Sequence, residues 1–287
     1  MNGIVNGMSI DVEDYFQVSA FDRVVSRADW GRLESRVVAN TEGLLEMFAT
    51  SRVRGTFFFL GWVAERFPAL VKTVASAGHE IASHGFNHQL VYSLTEEEFR
   101  QDVRSSKRLL EDLTGQRVRG YRAPSFSVTK QSLWALDVLI DEGYEYDTSI
   151  FPVHHDRYGI ADAPRHAHVI TRQAGTIVEM PGSTTRLGGV NLPVAGGGYF
   201  RLLPYAWTRT GIARVNRSEG KPVVFYLHPW EIDPGQPRFH VPAATKIRHY
   251  TGLSSTRHRL LRLLKQFRFD TIESVLAGQG LSSSAAA

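Results

Sequence analysis

The chain has 287 residues, of which 43% are apolar, 22% charged and 11% aromatic, a balance that supports a large folded core and excludes disorder over most of its length. It contains no cysteine, so disulfides, thiolate nucleophiles and cysteine-held zinc are excluded, and any metal must rest on histidine and carboxylate. The 33 Lys and Arg against 29 Asp and Glu leave a net charge of +4, spread rather than gathered in runs, which argues against nucleic acid as a partner while remaining compatible with an anionic substrate or membrane headgroups.

No apolar run approaches the roughly 20 residues of a membrane-spanning helix. The first residues lack the basic region and apolar segment of a secretory signal, so a cytoplasmic location is expected. Apolar runs of strand length then alternate with amphipathic stretches. Gly7–Ile10 and Thr56–Leu60 read as the first two strands, and Trp62–Ala77 as a helix stopped by Gly78. His79–Ser83 follows as strand three. Thr95-Glu96-Glu97-Glu98 has the form of a capping box opening a helix to Thr114, ended by Gly115. Val118–Tyr121 reads as strand four, Gln131–Glu142 as a helix and Tyr144–Tyr146 as strand five.

From Pro152 to Gly175 prolines, histidines and aspartates break every period and predict a long loop that includes His154, His155, His166 and His168. An irregular insertion over about 152–200 is expected, interrupted by strand six at Thr176–Met180. A helix over Pro204–Arg217, a strand over Pro222–Leu227 and a helix over Thr256–Phe267 follow, and residues 281–287 read as a disordered tail. About seven strands alternating with helices predict a single-domain α/β fold, a distorted (β/α) barrel with a parallel sheet. An open doubly wound sheet is the alternative, although no Gly-x-Gly-x-x-Gly or P-loop follows the first strand.

Asp11, His84, Arg122, Asp147 and His228 each fall at or just past the carboxyl end of an expected strand, and in a parallel barrel those ends meet on one face. Asp11, Glu13 and Asp14 place three carboxylates within four residues, which calls for a cation or an arginine in compensation. His84 and His88, four apart, together with one of these acids make a three-ligand metal site with an open position. Arg122, followed by Ala123-Pro124, is suited to hold a carboxylate by a bidentate contact. His228 ends the strongest strand beside Trp230. Asp147 caps its own turn or supports a catalytic histidine.

Taken in order, Asp11 with its acids, His84 to His88, Arg122-Ala123-Pro124 and Leu227-His228 resemble the motifs of the polysaccharide deacetylases of the NodB-homology type, carbohydrate esterase family four. The strings Asp11 to Gln17 and His228 to Glu231 resemble a subgroup associated with exosortase systems and exopolysaccharide loci. The resemblance implies a metal-dependent hydrolase that removes N-acetyl groups from hexosamine units, with Zn2+ the expected metal and a carbohydrate the expected partner. It implies Asp11 as general base oriented by Arg122, His228 as acid, Asp147 in a supporting catalytic role, and a backbone N–H near Arg122 or Ala123 as oxyanion donor. Trp230, Tyr15, Pro124 and Leu227 are expected against the sugar. The acidic ligand is Asp14 or Glu13, with Asp14 favoured because it begins the turn after the strand. Two other readings stand beside this one: an amidohydrolase acting on a small cyclic amide, and a non-catalytic carbohydrate-binding protein. A basic helix around Arg257, Arg259 and Arg262 is the candidate for peripheral membrane contact.

Overall fold

Strand β1 (Val5–Val12) is buried from Asn6 onward on both of its faces, as a central strand of a covered parallel sheet must be. The computed structural model describes residues 3–155 and 158–281. In chain order there follow α1 (Val37–Ser51), β2 (Thr56–Phe59), α2 (Gly61–Arg66), α3 (Pro68–Ser76), β3 (Glu80–Ser83), α4 (Glu96–Thr114), β4 (Gly120–Tyr121), α5 (Trp134–Asp141) and β5 (Tyr146–Asp147). The second half comprises β6 (His168–Arg172), β7 (Gly175–Glu179), β8 (Thr184–Leu187), β9 (Val190–Pro193), α6 (Gly197–Leu202), α7 (Tyr205–Ser218), β10 (Val224–Leu227), α8 (Ala243–Tyr250), α9 (Leu253–Gln266), β11 (Arg268–Asp270) and α10 (Ile272–Gly278).

The main sheet runs β10-β1-β2-β3-β4-β5-β7-β6, with β11 also on β1. Every pairing is parallel except the β6–β7 hairpin. This is the expected single-domain α/β architecture, a distorted barrel. On its open side, β10 is linked to the segment between β7 and β8 by a side chain rather than a ladder, the Val224 N–H donating to Ser183 Oγ at 2.7 Å. Inward-facing Phe58, Ala82, Tyr146, Val178 and Val224 form one core with Ile272, Val275 and Leu276 of α10, against which Leu281 also packs. The rest of the expected tail, residues 282–287, lies outside the described residues. A larger core fills the layer between the sheet and the outer helices. No helix among the described residues is long and apolar enough to cross a membrane.

Local chemistry explains most of the elements. The capping box is present at α4, where Thr95 Oγ1 accepts the Glu98 N–H at 3.3 Å and Glu98 Oε2 accepts the Thr95 N–H at 2.8 Å. Its buried face is Phe99, Val103, Ser106 and Leu110, one stripe at helical spacing. The single helix expected over Trp62–Ala77 is two helices, because Pro68 has no N–H to continue the first and sits well at the first position of the second. The predicted loop over Pro152–Gly175 contains β6, whose β-branched Val169, Ile170 and Thr171 pair with β7, so His168 belongs to a strand rather than a loop. Of the basic helix, Arg259 Nη1 donates to the carbonyls of Phe200 and Leu203 at 2.8 and 3.0 Å, and Arg262 lies over the Tyr205 ring at 4.5 Å. Both arginines therefore bind α9 to α6 and the start of α7.

Candidate active site and metal centre

The strand ends are joined in a ring by backbone bonds. His84 N–H donates to Phe59 O at 2.8 Å, Arg122 N–H to Ser83 O at 2.9 Å and Thr148 N–H to Tyr121 O at 3.0 Å. Because side chains alternate along a strand, Asp11 and Glu13 leave β1 on the same face. That face carries the site.

Glu13, His84 and His88 offer one ligand atom each within 4.8 Å of one another, all three residues buried. His88 Nε2 lies 2.8 Å from Glu13 Oε2. His84 Nδ1 is 2.7 Å from the Arg122 carbonyl, which fixes that nitrogen as the N–H and turns Nε2 toward Glu13 and His88. Burial holds the His84 imidazole down at about 4, in the neutral form a metal requires. Burial alone would raise the Glu13 carboxyl, but His88 and His228 bring it to about 2. Glu13 Oε2 is buried with no hydrogen-bond donor aligned on it. Two imidazoles, one carboxylate and an unsatisfied oxygen among them fit a divalent cation.

The turn carrying His88 is braced from several sides. Gly85 takes φ 73 and His88 φ 51, the second a conformation that costs about 1–3 kcal/mol and is held only where surroundings impose it. Asp102 of α4 accepts the Phe86 N–H at 2.7 Å and the Asn87 N–H at 3.3 Å. The carbonyls of Gly85 and Phe86 accept the N–H groups of Gly61 and Trp62 at the start of α2. The Phe86 ring lies so close to Gly61 that a Cβ there would fall 2.3 Å from it.

Asp14 does not join the cluster. Its carboxylate accepts Ser35 Oγ–H at 2.5 Å and the N–H groups of Arg36 and Val37 at 3.1 and 3.3 Å, capping the entry to α1. The preference for Asp14 over Glu13 as the acidic ligand is thereby corrected: the pleat that puts Glu13 on the face of Asp11 extends one residue past the strand. Burial raises the Asp14 carboxyl to about 6.

Asp11 faces Arg122, whose Nη1 is 2.6 Å from Asp11 Oδ1 and 2.9 Å from Ser9 Oγ. The guanidinium is 1% exposed and lies over the Phe58 ring at 4.3 Å. The remaining Asp11 oxygen is 3.9 Å from His228 Nε2. His228 Nδ1 meets Glu231 Oε1 at 2.7 Å. The other Glu231 oxygen accepts Arg201 Nε–H at 2.5 Å, and Arg201 Nη1 donates to the His249 and Thr251 carbonyls at 2.9 and 2.8 Å. Burial would lower the His228 pKa, yet Glu13, Glu231 and Asp11 raise it to about 9. Sequence reasoning assigned no role to Glu231 or Arg201; the three-residue spacing from His228 to Glu231 was the available signal, whereas Arg201 comes from a remote helix. Glu231→Gln should lower kcat about 10- to 100-fold with metal content intact. Parallel measurement of turnover and bound metal checks this, and loss of metal along with activity would contradict it.

Asp147 is not the carboxylate beside His228. It pairs with Glu179, its neighbour in the β5–β7 register, and accepts the Ser149 hydroxyl. Burial pushes the Asp147 carboxyl up to about 6 and that of Glu179, which also faces the charge of Asp147, well above the usual range. Asp147 Oδ2 and Glu179 Oε2 have no other donor, so one proton held between the carboxyls satisfies both. A raised acid pKa gives stability that is complete below the unfolded value and is lost as pH rises toward the folded one. From pH 5 to 8 this pair should therefore cost up to ~1.4 kcal/mol per pH unit, and Glu179→Gln, which keeps a donor but has no proton to lose, should flatten the decline. Thermal melts across that range decide, and identical slopes would contradict it.

The residues expected against the sugar are placed otherwise. Trp230 is 4% exposed, stacked between His228 at 5.2 Å and His249 at 4.2 Å, with Nε1 donating to Glu13 Oε1 at 3.2 Å. Tyr15 is buried against Phe16 and Phe239. Leu227 is part of the main core and Pro124 is buried. All four are buried, as Asp11, His84 and His88 are. The expected oxyanion N–H groups are also occupied, that of Arg122 by Ser83 O and that of Ala123 by Ser149 Oγ at 2.7 Å. Just beyond, Ser125 and Phe126 hold φ 54 and 53, a strained pair on the rim.

Residues 21–146 match the profile of a family described as polysaccharide deacetylase, and residues 148–277 match a domain of unknown function, DUF3473. A peptidoglycan-N-acetylglucosamine deacetylase of Bacillus cereus is 28% identical over 120 residues, 38% of this chain and 44% of that protein. A peptidoglycan deacetylase of Helicobacter pylori is 30% identical over 113 residues, 39% of this chain and 37% of that protein. The chain thus spans less than half the length of these curated relatives. A crystal structure of a candidate polysaccharide deacetylase from Mycobacterium smegmatis shares the fold, with TM-score 0.65 at 18% identity over 98% of this chain and 94% of that one. The matched family segment holds His84, His88 and Arg122; Asp11 and Glu13 precede it, and His228 and Glu231 lie in the second segment.

Proposed function

We propose, from the match of residues 21–146 to the polysaccharide deacetylase family, that the chain removes N-acetyl groups from hexosamine units of a polysaccharide or its precursor, with a divalent metal held by Glu13, His84 and His88. Two imidazoles and a carboxylate favour Zn2+. The observation that carries the reading is the meeting of Asp11, its Arg122 partner and His228 around that three-ligand cluster.

A metal bound there supplies Lewis acidity, polarising the acetyl oxygen and easing deprotonation of a bound water. Asp11, held in one orientation by Arg122, accepts the proton as water adds to the acetyl carbon. His228, across from Asp11, gives a proton to the amide nitrogen as the C–N bond breaks, so acetate and a free amine leave. Glu231 and Arg201 keep the His228 ring turned toward the reacting atoms, as the carboxylate of a catalytic dyad does. Trp230 packs against the same ring and excludes water from its far side.

The exopolysaccharide setting rests on the strings Asp11 to Gln17 and His228 to Glu231. Peptidoglycan is the second reading, favoured by the names of the matched relatives. The test is acetate release from N-acetylglucosamine oligomers, peptidoglycan fragments and acetylated exopolysaccharide. Turnover that stops on chelation and returns with Zn2+ is expected. No acetate from any of the three with metal-replete protein would overturn the reading.

A further inference from the structure

One wall of the molecule is unlike the acidic centre it adjoins. A cleft of about 530 Å³ is lined by Arg238, Phe239, His240, Lys246, Ile247 and Tyr250, and no carboxylate among the described residues lines it. The sequence accounts for this: between Asp233 and Asp270 it has no acidic residue and eight Lys or Arg. The Arg238 guanidinium lies over the Tyr250 ring at 5.3 Å, and the Tyr250 hydroxyl accepts the Phe239 N–H at 2.9 Å, so cation and ring are fixed together. Ile247 is 59% exposed beside Lys246. The cleft connects to the reacting centre through a chain of rings, Tyr250 edge-on to His249 at 4.7 Å, His249 stacked on Trp230 at 4.2 Å and Trp230 stacked on His228 at 5.2 Å.

A fixed guanidinium and an ammonium beside apolar surface suit a sugar ring that carries a carboxylate. We propose that this cleft binds the uronate units of an acidic glycan, so that the substrate carries carboxylates alongside its N-acetylhexosamine. The proposal rests on the deacetylase reading for its substrate and on the cleft alone for its charge preference.

Calorimetric titration of the full chain with hyaluronan hexasaccharide, in which uronate alternates with N-acetylglucosamine, and with neutral chitohexaose separates the two. The hyaluronan oligomer should bind about 10-fold more tightly or better, and the preference should shrink between 50 and 300 mM salt. In the double variant Arg238→Ala, Lys246→Ala the preference should vanish while acetate release from chitohexaose is unchanged. Equal affinities for the two oligomers, or a preference that survives in the double variant, would overturn the proposal. So would flotation with phosphatidylglycerol vesicles that the double variant abolishes in the absence of any oligomer preference, which would assign the cleft to a lipid surface. Preference in a protein that releases no acetate from any of the three substrates named above supports the cleft and contradicts the deacetylase reading; acetate release without preference does the reverse.

Discussion

Asp11→Asn should lower turnover about 10³-fold while leaving metal content at the wild-type level. Removing a positioned general base costs about 10²–10⁴ in rate, and here the base has no replacement within the geometry. Glu13 is committed to the imidazoles and Glu231 to Arg201. The metal should stay because Asp11 is not one of the three clustered ligands. The substitution also leaves the buried Arg122 without its counterion, its remaining side-chain partners being Ser9 and Thr148 hydroxyls at 2.9 and 3.3 Å. Removing one member of a buried pair costs about 3–5 kcal/mol, and Asn, which keeps an oxygen acceptor, should cost less. A melting temperature lowered by several degrees with metal retained is the expected result. Metal loss in this variant would move Asp11 into the ligand set.

Glu13→Ala and Asp14→Ala, one residue apart, should part company completely. Without Glu13 the cluster keeps only two imidazoles, and both metal and activity should go. Loss of the several kcal/mol a metal supplies to a developing charge corresponds to 10³-fold or more in rate. Without Asp14 the metal and most of the activity should remain. The damage falls instead on stability, since Ser35 and the N–H groups of Arg36, Val37 and Tyr15 lose their acceptor. Loss of such a helix-entry cap costs about 0.5–2 kcal/mol. Elemental analysis beside thermal melts separates the two variants. Metal retained in Glu13→Ala and lost in Asp14→Ala would reverse the assignment drawn from the geometry.

These contrasts show what the sequence carries and what it withholds. His84, Arg122 and His228 could be placed on one face because parallel strands read as apolar runs and their carboxyl ends are visible in the pattern. The choice between Glu13 and Asp14 turned on which side chain faces the histidines just past Val12, where the pairings to β10 and β2 have already ended. Trp230 beside a catalytic histidine reads as a sugar platform, yet its second face is covered by His249 of α8, a helix whose docking no local pattern announces. The Arg201–Glu231 contact likewise joins residues 30 apart through tertiary packing. Strand β6 was missed because prolines and histidines around it masked a run of three β-branched residues, Val169 to Thr171, that becomes a strand only by pairing with β7. Local signals locate the strand ends; long-range packing decides which side chain turns inward.

The most direct test of the central claim is an anomalous-scattering map from crystals of the protein grown with Zn2+. The account predicts a single strong peak about 2.0–2.2 Å from His84, His88 and a Glu13 carboxylate oxygen, with Asp11 facing its open side and Asp14 remote. A peak at Asp14, or no peak among the three residues at saturating metal, would contradict it.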